Sequence, residues 1–196
     1  KAGYVVKLLA ICERLTDAAT GVEGVSARVH PALVPLDHPL AAVHGANNAV
    51  FVEAEAAGSL MFYGAGAGGI QTASAVLGDL VSAARRHVAG GPGVAESTHA
   101  NMPVLPISSV TTRYQITLSV IDEPGVLATI ATLFSDHGVS VEAVSQSVRD
   151  GADAPTATLV IVTHEAAESA LASTVTALAA SPVVSSVVSV LRVEGL

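Results

Sequence analysis

The chain has 196 residues, 51% of them apolar and 13% charged, and a formal net charge of -8 from 9 basic and 17 acidic side chains. This acidic balance, without any basic cluster, argues against nucleic acid or an anionic membrane surface as a partner. Polar residues interrupt every apolar run, so no membrane span is predicted, and the length suits one medium or two small domains.

The first 89 residues are predicted to form an α+β layer. A helix is expected over residues 1–16, because apolar residues recur there at helical spacing: Tyr4, Leu8, Ile11 and Leu15. Three strands and a second helix follow, predicted over residues 25–30, 49–55, 58–63 and 71–87. Pro31 and Pro35 are expected to close the first of these strands. Since Lys1 opens the chain in place of Met, within a predicted helix, we expect part of a longer protein.

The single cysteine, Cys12, excludes an internal disulfide. Its neighbours are mostly apolar, which predicts a buried core thiol rather than a catalytic one. Together with the lack of a recognisable signal peptide, this favours a reducing cytoplasm as the location of the protein.

A glycine-rich run, residues 64–69, separates the last of these strands from the helix at 71–87. Glycine permits close approach of a ligand, and a helix start offers free N–H groups to a phosphate or carboxylate. The run is not a dinucleotide fingerprint, because no acidic residue about twenty positions on begins a second βαβ unit. A ligand-contacting loop and a tight turn without a ligand are equally compatible with the residues.

The seven histidines show no metal-ligand spacing, so we expect solvated or structural histidines and no metal site. His30, His38 and His44 fall in predicted turns or at a strand end. Glu53 and Glu55 share one face of a predicted strand, where an exposed sheet face is favoured over a catalytic carboxylate pair.

Residues 90–112 are rich in glycine and proline and lack periodicity, which predicts a linker. A compact pattern follows, with the order βαββαβ and a hairpin turn at 149–153. Its predicted elements are strand 114–120, helix 125–137, strand 139–147, strand 156–163, helix 165–180 and strand 183–193. This order predicts a ferredoxin-like fold with both helices on one face of the sheet.

The corner between the first strand and helix of this pattern is Asp122-Glu123-Pro124-Gly125-Val126-Leu127. Because a helix start carries unpaired N–H groups and partial positive charge, the corner is suited to receive a carboxylate. The alternative is a plain capped helix, with Asp122 near the N-cap and Glu123 favoured by the helix dipole. The residues alone slightly favour the capped helix.

Residues 114–196 resemble an ACT domain, a regulatory module that often senses amino acids. The resemblance rests on Asp122-x-Pro124-Gly125-Val126-Leu127-Ala128, Ile130, Phe134, Gly138-Val139 and Glu142. It implies that the N–H groups of Gly125, Val126 and Leu127 hold an amino-acid carboxylate, while Asp122 meets the ammonium or hydroxyl group. L-threonine is the expected ligand, bound at an interface between paired ACT modules.

The first half resembles the second part of the catalytic domain of homoserine dehydrogenases, some of which end in an ACT domain. The matching motifs are Gly3-Tyr4-Val5-Val6-Lys7-Leu8-Leu9-Ala10, Val29-His30-Pro31, Val43-x-Gly45-x-Asn47-Asn48-Ala49-Val50 and Tyr63-Gly64-x-Gly66-Ala67-Gly68-Gly69-x-x-Thr72-Ala73-Ser74-Ala75-Val76. Gln71 departs from the family, which usually has proline at that position.

The resemblance implies a set of backbone positions that face a nicotinamide cofactor, NAD or NADP, in the intact enzyme. These are Gly66, Ala67, Gly68, Gly69 and Thr72. The strands of residues 25–63 would help to form the dimer sheet. The nucleotide-binding domain, catalytic lysine and substrate-binding acidic residues of the family precede the matched segment. We therefore assign no catalytic residue to this chain and expect it to bind no cofactor alone.

The sequence thus predicts residues 1–89 as part of a catalytic and dimerisation domain, 90–112 as a linker and 113–196 as an ACT regulatory domain. The expected function is that of a C-terminal piece of an NAD(P)-dependent homoserine dehydrogenase, inactive alone, with feedback by L-threonine. The expected assembly is a homodimer or tetramer, without nucleic acid or membrane. The alternative is a stand-alone amino-acid sensor or a structural dimerisation module.

Overall fold

The computed structural model describes residues 3–90, 101–149 and 156–195. Its elements in chain order are β1 (Tyr4–Thr16), β2 (Glu23–Pro35), a 3-10 helix (Pro39–Ala42), β3 (Asn47–Ala54), β4 (Gly58–Ala65), α1 (Gly69–Ala89), a second 3-10 helix (Ile107–Ser109), β5 (Thr111–Ile121), α2 (Val126–Asp136), β6 (Val141–Arg149), β7 (Thr156–Thr163), β8 (Ala166–Ala167), α3 (Glu168–Ala180) and β9 (Val184–Val193). The predicted hairpin turn at 149–153 lies outside the described residues apart from Arg149.

The chain divides into two compact units. The first unit combines Lys1–Pro35 with Met102–Leu196, and the second unit is Leu36–Asn101. The three-part division at residues 89 and 112 stays a prediction.

The first unit is built on a mixed sheet with the strand order β1-β2-β9-β5-β7-β6, to which β8 adds beside β5. The four strands from β9 to β6, together with α2 and α3, have the predicted βαββαβ connectivity, which confirms the α+β class and the ferredoxin-like fold. The β1–β2 hairpin extends this sheet, because β2 pairs in parallel with β9 at Ala32↔Arg192 and Leu33↔Val193.

The core of the first unit lies between the sheet and its two helices. Every second residue of β5 is buried, and α2 buries Val126, Ile130 and Phe134 at spacings of four. The main core side chains are Tyr114, Ile116, Leu118, Val120, Ile130, Phe134, Leu159, Ile161, Leu171 and Leu178. This packing fixes the position of the corner between β5 and α2.

The helix predicted over residues 1–16 is wrong, because Tyr4–Thr16 forms β1 and pairs with β2 along its whole length, from Tyr4↔Pro35 to Thr16↔Glu23. Pro31 does not close β2, which continues through it, but Pro35 is the last residue of the strand, as predicted. The predicted three-stranded sheet covered by two helices is replaced by this hairpin and by a separate two-stranded sheet of β3 and β4.

Cys12 is exposed, contrary to the prediction of a buried thiol. It lies on β1 opposite Ala27 of β2. Because neighbouring residues of a strand point to opposite faces, apolar neighbours along the chain do not surround the side chain.

Part of the segment predicted as linker is hydrogen-bonded to β2. The amide of Val25 donates to Pro103 O (2.9 Å), and that of Leu105 donates to Val25 O (2.8 Å). A Cβ on Gly24 would lie 2.5 Å from Pro103 O and 2.7 Å from Leu105 Cγ, so this approach requires glycine.

The second unit holds the antiparallel β3–β4 pair and the 21-residue helix α1, which agree with the predicted strands and helix. No residue of α1 is buried. Apolar side chains along this helix and on the hairpin are therefore exposed, among them Val50, Phe62, Tyr63, Leu77, Leu80 and Val81.

Candidate functional site

The corner between β5 and α2 borders a cavity of about 230 Å³. The structure brings together there all four residues predicted to hold a regulatory ligand: Asp122, Gly125, Val126 and Leu127. Ligand sites for drug-sized molecules measure about 300–1,000 Å³, so the cavity suits a smaller molecule such as a free amino acid.

Gly125 is the N-cap of α2 and has a left-handed backbone (φ 94°). No side chain caps the helix, and its first turn contains no acidic residue. The Val126 amide donates to Glu123 O over a long distance (3.4 Å), while the other first-turn N–H groups have no partner within the helix, and the local field is positive. This geometry is what a carboxylate needs.

Asp122 does not cap α2, contrary to the capped-helix alternative. Its Oδ1 accepts a hydrogen bond from Gln146 Nε2 on β6 (3.3 Å). The Asp122 side chain is half-buried. A carboxylate held in this way offers its remaining lone pairs to an ammonium or hydroxyl group.

Four lining residues were missed by sequence reasoning: Val120, Ile121, Gln146 and Leu159. Val120 and Leu159 are buried on β5 and β7 and close the apolar side of the cavity. Gln146 reaches Asp122 only through strand pairing, since β6 joins β5 by way of β7. The alternation of apolar and polar residues along β5 was the one sequence signal that pointed to Val120.

The glycine run joins β4 to α1 in the second unit. The amide of Gly66 donates to Ala46 O (2.8 Å), and that of Thr72 donates to Gly68 O (3.0 Å). Gly68 is the N-cap of α1 and has φ 134°, a backbone conformation that favours glycine. Gly66, Ala67, Gly68, Gly69 and Thr72 are all exposed.

Side chains already border two of these glycines. A Cβ on Gly66 would lie 2.1 Å from Asn48 Nδ2, and one on Gly68 would lie 2.2 Å from Gln71 Oε1. Gln71, the residue that departs from the family pattern, thus lies against the loop at the start of α1. The first turn of α1 has no acidic residue and no side-chain cap, so its N–H groups are compatible with an anionic group.

Other candidates from the sequence do not form a site. Glu53 and Glu55 are exposed. Among residues 3–90, 101–149 and 156–195, no three His, Cys, Asp or Glu side chains are grouped so that they could hold a metal ion. Over the same residues, no helix is long and apolar enough to cross a membrane.

Two family models match the chain, in the order expected from the sequence. Residues 1–81 match the homoserine dehydrogenase model, and residues 114–182 match the ACT domain model. The module recognised from the corner motif therefore matches the ACT domain family over most of its length.

Curated relatives match nearly the whole chain. The homoserine dehydrogenase of Corynebacterium glutamicum is 53% identical over 194 residues, which cover 99% of this chain and 42% of the relative. That of Mycobacterium leprae is 55% identical over 196 residues, 99% of this chain and 44% of the relative. The chain thus spans less than half the length of these relatives.

A solved structure extends the match to three dimensions. The homoserine dehydrogenase of Thiobacillus denitrificans superposes with a TM-score of 0.85 at 34% identity, covering 98% of this chain and 43% of that one. Sequence and structure therefore agree on the C-terminal part of homoserine dehydrogenases, which confirms the resemblance inferred from the motifs.

Proposed function

We infer that this chain is the C-terminal part of a homoserine dehydrogenase, and we propose that its ACT domain senses an amino acid for that enzyme. The observation that carries the proposal is the cavity at the β5–α2 corner, where Asp122 and the uncapped start of α2 border the same space. The enzyme would interconvert L-homoserine and L-aspartate semialdehyde, in a cytoplasmic pathway of amino-acid biosynthesis.

The proposed ligand is L-threonine. Its carboxylate would accept hydrogen bonds from the N–H groups of Gly125, Val126 and Leu127, where the helix dipole favours negative charge. Its ammonium or hydroxyl group would donate to Asp122, which Gln146 holds by a hydrogen bond. A ligand that binds one arrangement of the paired enzyme more tightly than another would shift the population toward the arrangement that it binds more tightly. This shift is the physical basis of feedback.

Calorimetry on the 196-residue chain tests this site. We expect saturable heat at millimolar L-threonine and a weaker response to L-valine, which replaces the hydroxyl by a methyl group. In Asp122→Ala the affinity should fall at least tenfold, because a hydrogen bond to a charged group contributes about 1.5–3 kcal/mol.

Asp136→Asn is the matched control, since Asp136 is an exposed carboxylate at the other end of α2. This variant should bind as the parent does. If the parent chain binds no L-threonine at millimolar concentration, the proposal of an amino-acid sensor is refuted, and a structural role in dimerisation takes its place.

For the cofactor, we propose that the loop Gly66–Gly69 and Thr72 face NAD or NADP when the whole enzyme binds it. The exposed glycines and the uncapped start of α1 fit a close anionic group. The Gln71 side chain beside Gly68 would have to share this space or turn away. The cofactor itself would supply hydride transfer, and these residues would only bind and orient it.

We further propose that the 196-residue chain is inactive alone, because its described residues include no dinucleotide-binding domain and the catalytic lysine of the family cannot be assigned here. The measurement is the absorbance of reduced cofactor formed from L-homoserine and NAD or NADP. An appreciable rate from the purified chain would contradict this. The proposed assembly is a homodimer or tetramer.

A further inference from the structure

β1 lies at one end of the mixed sheet, where it pairs with β2. It is 13 residues long, and its register with β2 runs without a shift from Tyr4↔Pro35 to Thr16↔Glu23. One edge of β1 is therefore occupied along its whole length. The opposite edge has no strand beside it in the part of the chain that the structure describes.

Two hydrogen bonds show which residues of β1 point their backbone groups to this free edge. The amide of Asp17 donates to Val22 O (2.9 Å) where the hairpin closes, and that of Val25 donates to Pro103 O (2.9 Å) on the far side of β2. Because successive residues of an antiparallel strand direct these groups alternately to its two sides, the odd-numbered residues of β1 bond β2. The even-numbered residues direct N–H and C=O groups to the free edge: Tyr4, Val6, Leu8, Ala10, Cys12, Arg14 and Thr16.

The free edge of β1 lacks the features that usually keep sheet edges from pairing. Natural edge strands are short, bulged, or interrupted by proline or charge. β1 contains no proline and no bulge, and residues 8–12 at its centre are all apolar. Its charged residues lie toward the two ends: Lys7, Glu13 and Arg14. A flat apolar edge of this length indicates a strand that is paired in the assembled protein.

The even-numbered side chains of β1 add an exposed apolar face to this edge. Val6 and Leu8 are 54% and 73% exposed, and Val29 of β2 is 69% exposed. No charged residue occurs in the cross-strand pairs at the centre of this face: Leu8↔Pro31, Ala10↔Val29 and Cys12↔Ala27. A partner on β1 therefore has both an edge to pair with and a face to cover.

A second copy of this chain does not meet both needs. Two β1 strands paired edge to edge would complete each other's hydrogen bonds, but they would join two apolar faces into one larger exposed face. The homoserine dehydrogenases of Corynebacterium glutamicum and Mycobacterium leprae, by contrast, have more than half their length outside the part that this chain matches. That remainder is long enough to supply a strand and the layer that covers the face.

We propose that a strand from the remainder of a homoserine dehydrogenase pairs with the free edge of β1 and continues the sheet into the catalytic part of the enzyme. This strand would bond the even-numbered residues of β1, and the segments that carry it would cover Val6, Leu8 and Val29. The inference rests on the proposed identity of the chain as the C-terminal part of that enzyme. It is independent of the amino-acid ligand.

Residue-resolved amide exchange, on the 196-residue chain and on the whole enzyme that contains it, tests the pairing. In the chain alone, the amides of Leu8 and Ala10 should exchange fast, while those of Leu9 and Ile11, which bond β2, are protected. In the whole enzyme the first two should become protected by at least about a hundredfold, as in a stable sheet. Fast exchange of Leu8 and Ala10 in both forms would overturn the pairing. Oxidation of L-homoserine by the whole enzyme would still support the identity of the chain.

Ala10→Pro and Ile11→Pro are a matched pair of variants. Proline lacks the N–H group, so a strand tolerates it only where that group faces an open edge. In the chain alone, Ile11→Pro should lower the urea midpoint far more than Ala10→Pro, whereas in the whole enzyme both should lower it. A whole enzyme that is indifferent to Ala10→Pro would contradict the proposal. Protection of the Ala10 amide that rises with the concentration of the chain alone would place a second copy on the edge and would also refute it.

Discussion

At the residue scale, Tyr114 is a polar side chain buried in the core of the first unit. It is 4% exposed, and its hydroxyl donates to Glu168 Oε1 (2.7 Å). Arg192 pairs with the same carboxylate and lies over the Tyr114 ring, 5.6 Å from its centre. Three elements, β5, α3 and β9, are thus tied together by a triad of polar groups inside an apolar core.

Tyr114→Phe should lower the free energy of unfolding by about 1.5–3 kcal/mol, because it removes one buried hydrogen bond to a charged group and keeps the ring. Urea unfolding at neutral pH measures this change. Tyr63→Phe is the matched control, since Tyr63 is 57% exposed, and it should leave the midpoint unchanged. Equal midpoints for Tyr114→Phe and its parent would contradict the role of the triad.

Burial, and then the Glu168 carboxylate, raise the pKa of Tyr114 above its usual value. A group with a raised pKa stabilises the fold below the unfolded-state pKa, and that contribution is lost as pH rises toward the folded-state pKa. Above about pH 10 the parent should therefore lose up to about 1.4 kcal/mol per pH unit from this residue. Tyr114→Phe should lack that component, which unfolding curves between pH 9 and 11 will show.

At the element scale, the segment 103–105 depends on a glycine in the neighbouring strand. Gly24→Ala should cost about 1–3 kcal/mol, because the added methyl group would overlap Pro103 O and Leu105 Cγ and displace the segment from β2. Thermal unfolding and amide exchange at Val25 and Leu105 measure the loss. Gly78→Ala is the control, since a Cβ there meets nothing within 4 Å and Gly78 lies within α1.

Gly78→Ala should be neutral or stabilising by up to about 1 kcal/mol, since alanine favours helix. If Gly24→Ala and Gly78→Ala had the same small effect on the free energy of unfolding, close packing at Gly24 would not contribute to stability.

Sequence reasoning succeeded where local pattern and packing agree. The alternation of β5 and the corner at Pro124-Gly125 predicted the strand, the turn and the start of α2 within a few residues. It failed for β1, because the apolar residues Tyr4, Leu8, Ile11 and Leu15 also fit a helix. β2 pairs with β1 along its whole length, and this pairing makes residues 4–16 a strand although their apolar spacing also fits a helix. Gln146 and Glu168 were missed because their partners lie far away in sequence.

At the scale of the whole molecule, the second unit exposes large apolar side chains on both its hairpin and its helix. Val50 and Phe62 are cross-strand partners on the hairpin, at 61% and 64% exposure. Leu77, Leu80 and Val81 form a stripe on α1. The proposed assembly would cover such surfaces.

We therefore expect the purified chain to associate as its concentration rises. Phe62→Asp should weaken that association by about thirtyfold, as expected for the loss of a central aromatic contact worth about 2 kcal/mol. Val22→Asp, a change of an exposed turn residue in the first unit, should have no effect. Sedimentation equilibrium measures both, and a parent that stays monomeric at high concentration would contradict the expectation.

The pairing of Leu33 with Val193 also sets the order in which the protein can be completed during synthesis. The β1–β2 hairpin is made before β9, and its free edge meets β9 only after that strand has left the ribosome. Until then the backbone groups of β2 at Ala32 and Leu33 are open to pairing with other chains. Deletion of β9 should therefore raise aggregation of the newly made chain more than deletion of β6, which does not pair with β2.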